Sequence, residues 1–149
     1  MRDPVRDLSH DHAELNRRVL AIATKVQQLR QGREVTLSPA LDELRELLFL
    51  HFAREEEGLF PFVAEAAPTL AAQVHDMAVA HDTICGALAR ACHAARSGGA
   101  ELPNLIALYE RFEHSYAVHA RSEAELLSRL DELLDDAQRE RLAALVDGL

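Results

Sequence analysis

The chain has 149 residues, 48% of them hydrophobic, which is enough for one domain with a sizeable buried core. Its net charge of −9 and its pI near 5.3 argue against nucleic acid or an anionic membrane as a partner, because both need a basic surface. No apolar run approaches the length of a membrane span, and neither a signal peptide core nor a glycine-rich phosphate loop is present. We therefore expect a cytoplasmic protein in which residues 1–149 form a single domain.

Four long helices are predicted from apolar residues that recur in steps of three and four. The first begins after Asp3 and Pro4 and ends at Gly32, and Ser38 with Pro39 begins the second in the same way. Pro61 is expected to kink or end the second helix. The third follows Pro68 and Thr69 and closes at Gly98 and Gly99, and the fourth opens at Pro103.

Short loops between long helices favour an all-α, up-down-up-down four-helix bundle. A short C-terminal fifth helix is predicted over residues 136–146. The two cysteines, Cys85 and Cys92, lie two turns apart on the third helix, roughly 10 Å from each other, which is too far for a disulfide. Free thiols agree with a reducing cytoplasm.

The inward-facing stripe of each helix is apolar except at a few positions. The interruptions are His12, His51 with Glu55, His81, and His119 with Glu123. Each His-x-x-x-Glu pair places an imidazole and a carboxylate one turn apart on the same helix face. Distances from the connecting loops agree to within about one helical turn, so all six side chains are predicted to meet at one level of the bundle.

Other histidines and acidic residues are less well placed. At about 100° per residue, Glu55 lies about 40° from His51 around the helix, whereas Glu56 lies about 140° away. We therefore expect Glu56 and Glu57 to face solvent. The remaining histidines lie off the inward stripes and are expected on the surface: His10, His75, His93 and His114.

Buried histidines alone are often ordinary hydrogen-bonded core residues, but two buried carboxylates are different. Each costs several kcal/mol to desolvate unless a positive charge accompanies it, and no lysine or arginine occupies any of the four stripes. A metal supplies that charge. Four imidazoles and two carboxylates exceed the needs of one tetrahedral zinc and can serve two ions, and a nitrogen and oxygen set without thiolate suits iron better than manganese.

With these residues, the chain resembles the hemerythrin-like family, also called HHE cation-binding domains. The resemblance is carried by Asp11-His12, the run HFAREEEGLFP from His51, Ala80-His81 and the run HARSEAELL from His119. It implies two non-haem irons joined by an oxo or hydroxo bridge and by the two carboxylates. The implied ligands are His12, His51, Glu55, His81, His119 and Glu123.

One departure from the family pattern bears on function. Classical oxygen-carrying hemerythrins have a His-x-x-x-His pair on the third helix and an Asp five residues after the last histidine. Here Met77 stands four before His81, and Glu123 follows His119 at four. The site is one imidazole short, so its irons should be more open to added molecules than those of a simple oxygen carrier.

Residues near the site have two interpretations each. Tyr116 lies one turn before His119. In one interpretation it serves the iron site, as an outer hydrogen-bonding partner or as an additional iron ligand. In the other it is a core tyrosine with a satisfied hydroxyl. Gly58 either leaves room for a small molecule or allows close helix packing. Cys85 is either a redox partner or an inert buried thiol, and Met77 is expected to be plain core.

The leading hypothesis is a di-iron protein that binds or reduces dioxygen, hydrogen peroxide or nitric oxide. If the protein is a catalyst, we expect an oxidoreductase that consumes peroxide or nitric oxide. The alternative is a non-catalytic iron or oxygen sensor or store that signals through a partner. The physiological molecule, the electron donor and the oligomeric state do not follow from the sequence.

Overall fold

The computed structural model describes residues 3–98 and 102–147 and contains no strand within them. Its helices are α1 (Pro4–Arg30), α2 (Ser38–Arg54), α3 (Phe60–Ala66), α4 (Ala71–Ser97), α5 (Leu102–Leu133) and α6 (Asp136–Asp147). A π-helical turn, Glu55–Leu59, joins α2 to α3, and a short 3-10 turn, Pro68–Leu70, precedes α4. None of these helices is both long and apolar enough to cross a membrane.

The long helices pack around the interior of the bundle in the predicted order. α1 packs against α2 and α5, and α4 packs against the same two helices, so the four form a closed ring in section. The α2–π–α3 segment acts as the second long helix of the bundle. The prediction of an all-α bundle with a short C-terminal helix is confirmed.

Several helix ends follow from their local sequence. The Asp3 carboxylate accepts a hydrogen bond from the backbone N–H of Val5 at 3.1 Å, and Pro4 occupies the first turn. Gly32 has a φ of +84° just after α1, and Gly98 has a φ of +60° at the end of α4, conformations that glycine adopts without strain. Gly99, which was expected to share this role, lies outside the described residues.

Two details of the second long helix differ from the prediction. The helix begins at Ser38 with Pro39 in its first turn, as predicted, but its N-cap residue is Leu37 and no side chain caps that end. Pro61 does not end the second long helix, which continues to Ala66. The disturbance is the π turn that precedes Pro61, in which the Phe60 N–H donates to the Glu55 carbonyl. A proline has no N–H for the usual bond, and a π turn is one way to accommodate that loss within a continuous helix.

Two apolar clusters fill the bundle, one on each side of a polar layer. Along α1, Leu8 belongs to one cluster and Leu15 to the other, with His12 between them. Along α4, Met77 and Ile84 flank His81 in the same manner. The polar side chains therefore lie between two apolar layers that restrict access of bulk water.

The C-terminal helix closes one side of this arrangement. Leu142 and Val146 of α6 are buried, and a Cβ atom at Gly58 would lie 3.5 Å from the Leu145 carbonyl oxygen. The Arg139 guanidinium contacts both Asp3 and Asp131, which ties α6 to the start of α1 and the end of α5. Of the two interpretations of Gly58, the structure favours close helix packing, because α6 occupies the space beside it.

Candidate metal centre

Six polar residues come together between the apolar layers, and we call them the six-residue cluster. His12 comes from α1, His51 from α2, Glu55 from the π turn, His81 from α4, and both His119 and Glu123 from α5. His12 is 7% exposed and each of the others is at most 3% exposed. The structure thus brings together all six residues that the sequence placed on the inward faces.

Glu123 lies among three histidines from three helices. Its Oε1 is 2.9 Å from His51 Nε2, and its Oε2 is 3.4 Å from His12 Nε2 and 3.6 Å from His119 Nε2. Glu55 has a similar position, with its Oε1 3.5 Å from His51 Nε2 and 3.3 Å from His81 Nε2. The Nε2 atoms of His81 and His119 are 3.1 Å apart. Each carboxylate therefore contacts histidines from at least two different helices.

Several of these separations fit donor atoms around a shared cation. Two ligands bound at about 2.1 Å and separated by 90–110° lie about 3.0–3.4 Å apart. Two sets of three residues have ligand atoms within 4.8 Å of one another: Glu55 with His81 and His119, and Glu55 with His51 and Glu123. Glu55 belongs to both sets. His12 joins the second set through its contact with Glu123.

The hydrogen-bonding of the cluster is incomplete in the part of the chain that the structure describes. His12 Nε2, Glu123 Oε2 and both carboxylate oxygens of Glu55 are buried without a hydrogen-bond partner. Buried polar atoms of this kind cost free energy unless something pairs with them. Imidazole nitrogens and carboxylate oxygens without thiolate are suited to iron, so the residues present fit such an ion.

Burial keeps the histidines in the form that binds metals. It lowers the pKa of His81 to about 3, with a further contribution from His119, and it also lowers the pKa of His12 and of His119. These imidazoles are therefore neutral at pH 7. A neutral imidazole is the form with a lone pair for a cation.

The two carboxyl groups behave differently from each other in the metal-free chain. Burial, followed by the charge of Glu123, raises the pKa of Glu55 well above its usual range. Burial also acts to raise the pKa of Glu123, but its interactions with the Glu55 carboxyl group and with the imidazole of His51 hold it below its usual range. These opposite shifts favour a state in which the pair shares one proton, which a bound cation would displace.

Acid should therefore destabilise the metal-free protein. Between pH 7 and pH 5 the unfolded chain protonates its histidines, whereas burial opposes protonation of His12, His81 and His119 in the fold. Stability then falls by up to about 1.4 kcal/mol per pH unit for each of these histidines. The raised pKa of Glu55 has the opposite effect on stability, but it offsets only one of these protons. The net result of acidification is a loss of stability, which urea unfolding at pH 7 and pH 5 measures.

Two variants provide the control for this acid effect. Replacing His81 by Gln should reduce the pH dependence, whereas replacing the exposed His75 by Gln should leave it unchanged. Equal stability of the metal-free wild-type protein at pH 7 and pH 5 would contradict the assignment of buried neutral histidines.

Aromatic rings and one acidic side chain surround His81. The ring of Phe52 stacks on it with centroids 3.6 Å apart, and the Phe60 ring lies 5.4 Å away. Glu56 Oε1 lies 3.3 Å from His81 Nδ1, on the side of the ring away from the cluster. The expectation that Glu56 is only a solvated residue is therefore incomplete, although its side chain is 44% exposed. Glu56 lies in the π turn, where regular helix geometry does not give side-chain directions.

Tyr116 has a defined partner. Its hydroxyl donates a hydrogen bond to Asn16 Oδ1 at 2.7 Å, and its ring centroid lies 6.3 Å from that of His12. Burial, with the charges of Glu123 and Glu55, raises the pKa of the Tyr116 hydroxyl. This agrees with the interpretation of Tyr116 as a core tyrosine with a satisfied hydroxyl, placed beside a member of the cluster. Asn16 had no signal in the sequence, because it lies beside the inward stripe of α1.

The remaining candidates are also placed. Met77 is buried in an apolar cluster, and both cysteines are free, as expected. Burial raises the pKa of the Cys85 thiol to about 11, so the reactive thiolate is scarce at pH 7. The four histidines assigned to the surface are exposed: His10, His75, His93 and His114.

A helical bundle that encloses imidazoles and carboxylates from α1, α2, α4 and α5 has the features of a non-haem metal-binding protein. The chain belongs to the family described as the Hemerythrin HHE cation binding domain, whose model matches residues 3–149. Neither the curated proteins nor the solved structures gave a significant match to the chain. The family membership makes this a cation-binding domain, and the six-residue cluster fits metal binding.

Proposed function

We propose that the six-residue cluster holds two iron ions with an oxo or hydroxo bridge, and that the protein binds and reduces a small oxidant there. The candidates are dioxygen, hydrogen peroxide and nitric oxide. The observation that carries the proposal is the position of Glu55, whose carboxylate is shared by two three-residue sets. A carboxylate shared in this way can bridge two ions, whereas a single ion would need neither the second set nor His12.

The proposed ligands divide into two halves. His81 and His119 would hold one ion, and His12 and His51 the other, with Glu55 and Glu123 between them. When bound, the irons would supply Lewis acidity and electrons to a small oxidant. The protein supplies imidazoles, two carboxyl groups and an apolar surround that limits access of water.

The surroundings support small-molecule chemistry more than the recognition of a large substrate. The rings of Phe52 and Phe60 cover His81. The two apolar clusters enclose the six-residue cluster from both ends of the bundle. We also propose a cytoplasmic location, supported by the two thiols that stay free in the fold. In this proposal the whole chain acts as a single domain.

Two measurements test the proposal. Metal analysis after iron loading should give about two irons per chain, and an oxo-bridged ferric pair should absorb in the near ultraviolet, where zinc and manganese do not. Less than about one bound metal ion per chain would overturn the di-iron assignment.

Turnover is tested by adding many equivalents of peroxide to the iron-loaded protein, with and without a reductant. Reduction of one peroxide to two waters consumes two protons and two electrons, so loss beyond one equivalent needs either the reductant or a second peroxide. We expect continued loss. If consumption stops at one equivalent in both cases, the non-catalytic sensor or store becomes the better description.

A further inference from the structure

His81 differs from the other histidines of the six-residue cluster in what lies beside its outer nitrogen. Its Nε2 faces the cluster, 3.3 Å from Glu55 Oε1 and 3.1 Å from His119 Nε2. Its Nδ1 faces the other way and lies 3.3 Å from Glu56 Oε1. Among the described residues, no other imidazole of the cluster has a carboxylate at salt-bridge distance from its Nδ1.

The ring of His81 has little freedom to turn. Phe52 stacks on it with 3.6 Å between the ring centroids and 7° between the planes, and the Phe60 ring lies 5.4 Å away at 28°. The histidine is 2% exposed, so turning its ring over would require close-packed neighbours to move. Packing therefore fixes where the two ring nitrogens lie. What packing leaves open is which nitrogen carries the proton.

The position of that proton decides whether His81 can bind a cation. A neutral imidazole carries one proton, and only the nitrogen without it offers a lone pair. At Nε2 the proton would lie within reach of Glu55 Oε1 and His119 Nε2, both of which can accept it. Contacts inside the cluster therefore do not by themselves keep the Nε2 lone pair free.

Glu56 supplies an acceptor on the outer side of the ring. His81 Nδ1 is buried and has no hydrogen-bond partner in the described structure, because the carboxylate is near enough but not in hydrogen-bonding orientation. The Glu56 side chain is 44% exposed, and the last torsion of a glutamate is soft, so a small rotation completes the bond. A carboxylate oxygen attracts an N–H and repels a lone pair. The contact therefore favours a proton on Nδ1.

We propose that Glu56 is a positioning residue for the metal centre, which holds the proton of His81 on Nδ1 and so keeps the Nε2 lone pair directed at the ion. This inference rests on the proposed function, in which His81 is a metal ligand. It adds a residue outside the six-residue cluster that prepares one member of the cluster for binding. An imidazole whose other nitrogen donates to a carboxylate is also a stronger ligand. The effect concerns the ion held by His81, so the two ions should respond differently to the loss of Glu56.

Nitrogen NMR of the metal-free protein with isotope-labelled histidine reads the tautomer, because protonated and bare ring nitrogens differ widely in chemical shift. The His81 signals are those missing from the spectrum of His81→Gln. We expect wild-type His81 to carry its proton on Nδ1, and Glu56→Ala to move that proton largely to Nε2. Glu56→Gln keeps an oxygen that can accept from Nδ1 and should restore most of the wild-type pattern.

Iron retention gives the second measurement, with Glu57→Ala as the matched control. That substitution removes the same charge from the next exposed position and should leave both the His81 tautomer and iron release unchanged. Glu56→Ala should lose one of its two irons to a chelator at least about 10-fold faster than the wild-type protein and keep the other.

A change in iron retention should not reflect unfolding. Burial, followed by the charges of Asp82 and Glu57, raises the pKa of the Glu56 carboxyl group, so its neighbours repel its charge. Metal-free Glu56→Ala should therefore resist urea at pH 7 as well as the wild-type protein does. If Glu56→Ala fails to fold, Glu56→Lys replaces the acceptor by a donor and should also move the proton to Nε2.

The outcomes separate this inference from the function on which it rests. Absence of iron from the loaded wild-type protein overturns the proposed function and, with it, the role of Glu56. Normal iron content overturns the inference alone if the His81 proton lies on Nε2 in the wild-type protein or stays on Nδ1 in Glu56→Ala. An equal change of tautomer in Glu57→Ala would overturn the Glu56 contact as its cause.

Discussion

Replacing Glu55 by Ala should abolish binding of both irons, whereas replacing Glu123 by Ala should leave about one iron per chain. The difference follows from the geometry, because Glu55 belongs to both three-residue sets and Glu123 only to the set with His51. Each variant is loaded with iron, passed over a desalting column and analysed for metal. The change is large and direct, because it appears in the ratio of iron to protein.

The same acidic run provides a matched control. Glu57→Ala removes an exposed carboxylate two positions from Glu55 and should retain two irons. Retention of both ions by Glu55→Ala would mean that another group bridges them. Equal loss from the two variants would mean that Glu123 bridges as fully as Glu55 does.

Loss of iron from the Glu55 variant should not reflect unfolding. Its carboxyl group is buried beside Glu123, and burying it costs free energy in the metal-free protein. Metal-free Glu55→Gln should therefore be at least as stable as the metal-free wild-type protein, by urea unfolding at pH 7. A residue that lowers apo stability while it supports metal binding is typical of functional sites.

Removing iron should lower the melting temperature of the wild-type protein by about 10 °C or more. An ion at a concentration of 100 times its dissociation constant stabilises the fold by about 2.7 kcal/mol, and two ions contribute twice. For a chain of this size, about 1 kcal/mol corresponds to about 3 °C. Thermal unfolding with and without a chelator measures the change.

The Glu55→Ala protein is the control for this thermal shift. Since it is expected to hold no iron, the chelator should leave its melting temperature unchanged. A wild-type melting temperature that does not respond to iron removal would show that the six-residue cluster is stable without a cation. That result would favour a histidine and carboxylate network held by internal hydrogen bonds.

The neighbours of the six-residue cluster restrict how its side chains are oriented. Glu56 Oε1 approaches the Nδ1 of His81 to 3.3 Å without forming a hydrogen bond, and an acidic group on that side favours a proton on Nδ1. Phe52 fixes the same ring by stacking. These contacts restrain His81 before any ion binds, which reduces the reorganisation that binding requires.

Much of this arrangement could be predicted from the order of residues alone. Helical periodicity places His12 between Leu8 and Leu15, so a polar group is expected between two apolar layers. The same periodicity selects Glu55 over Glu57, because residues four apart share a helix face. Short loops require neighbouring helices to run antiparallel, which aligns the polar positions at one level.

The tertiary structure decided what depends on distances between helices and on local departures from regular geometry. The π turn between Glu55 and Leu59 carries the second long helix past Pro61, and no periodic pattern contains such a change. The contact between Glu56 and His81 joins two separate elements and likewise has no signal in the pattern. Packing of α6 against Gly58 joins residues far apart in the chain. The division of the cluster into two sets that share Glu55 also required three-dimensional positions, because spacing along a helix fixes a face but not the neighbour across the bundle.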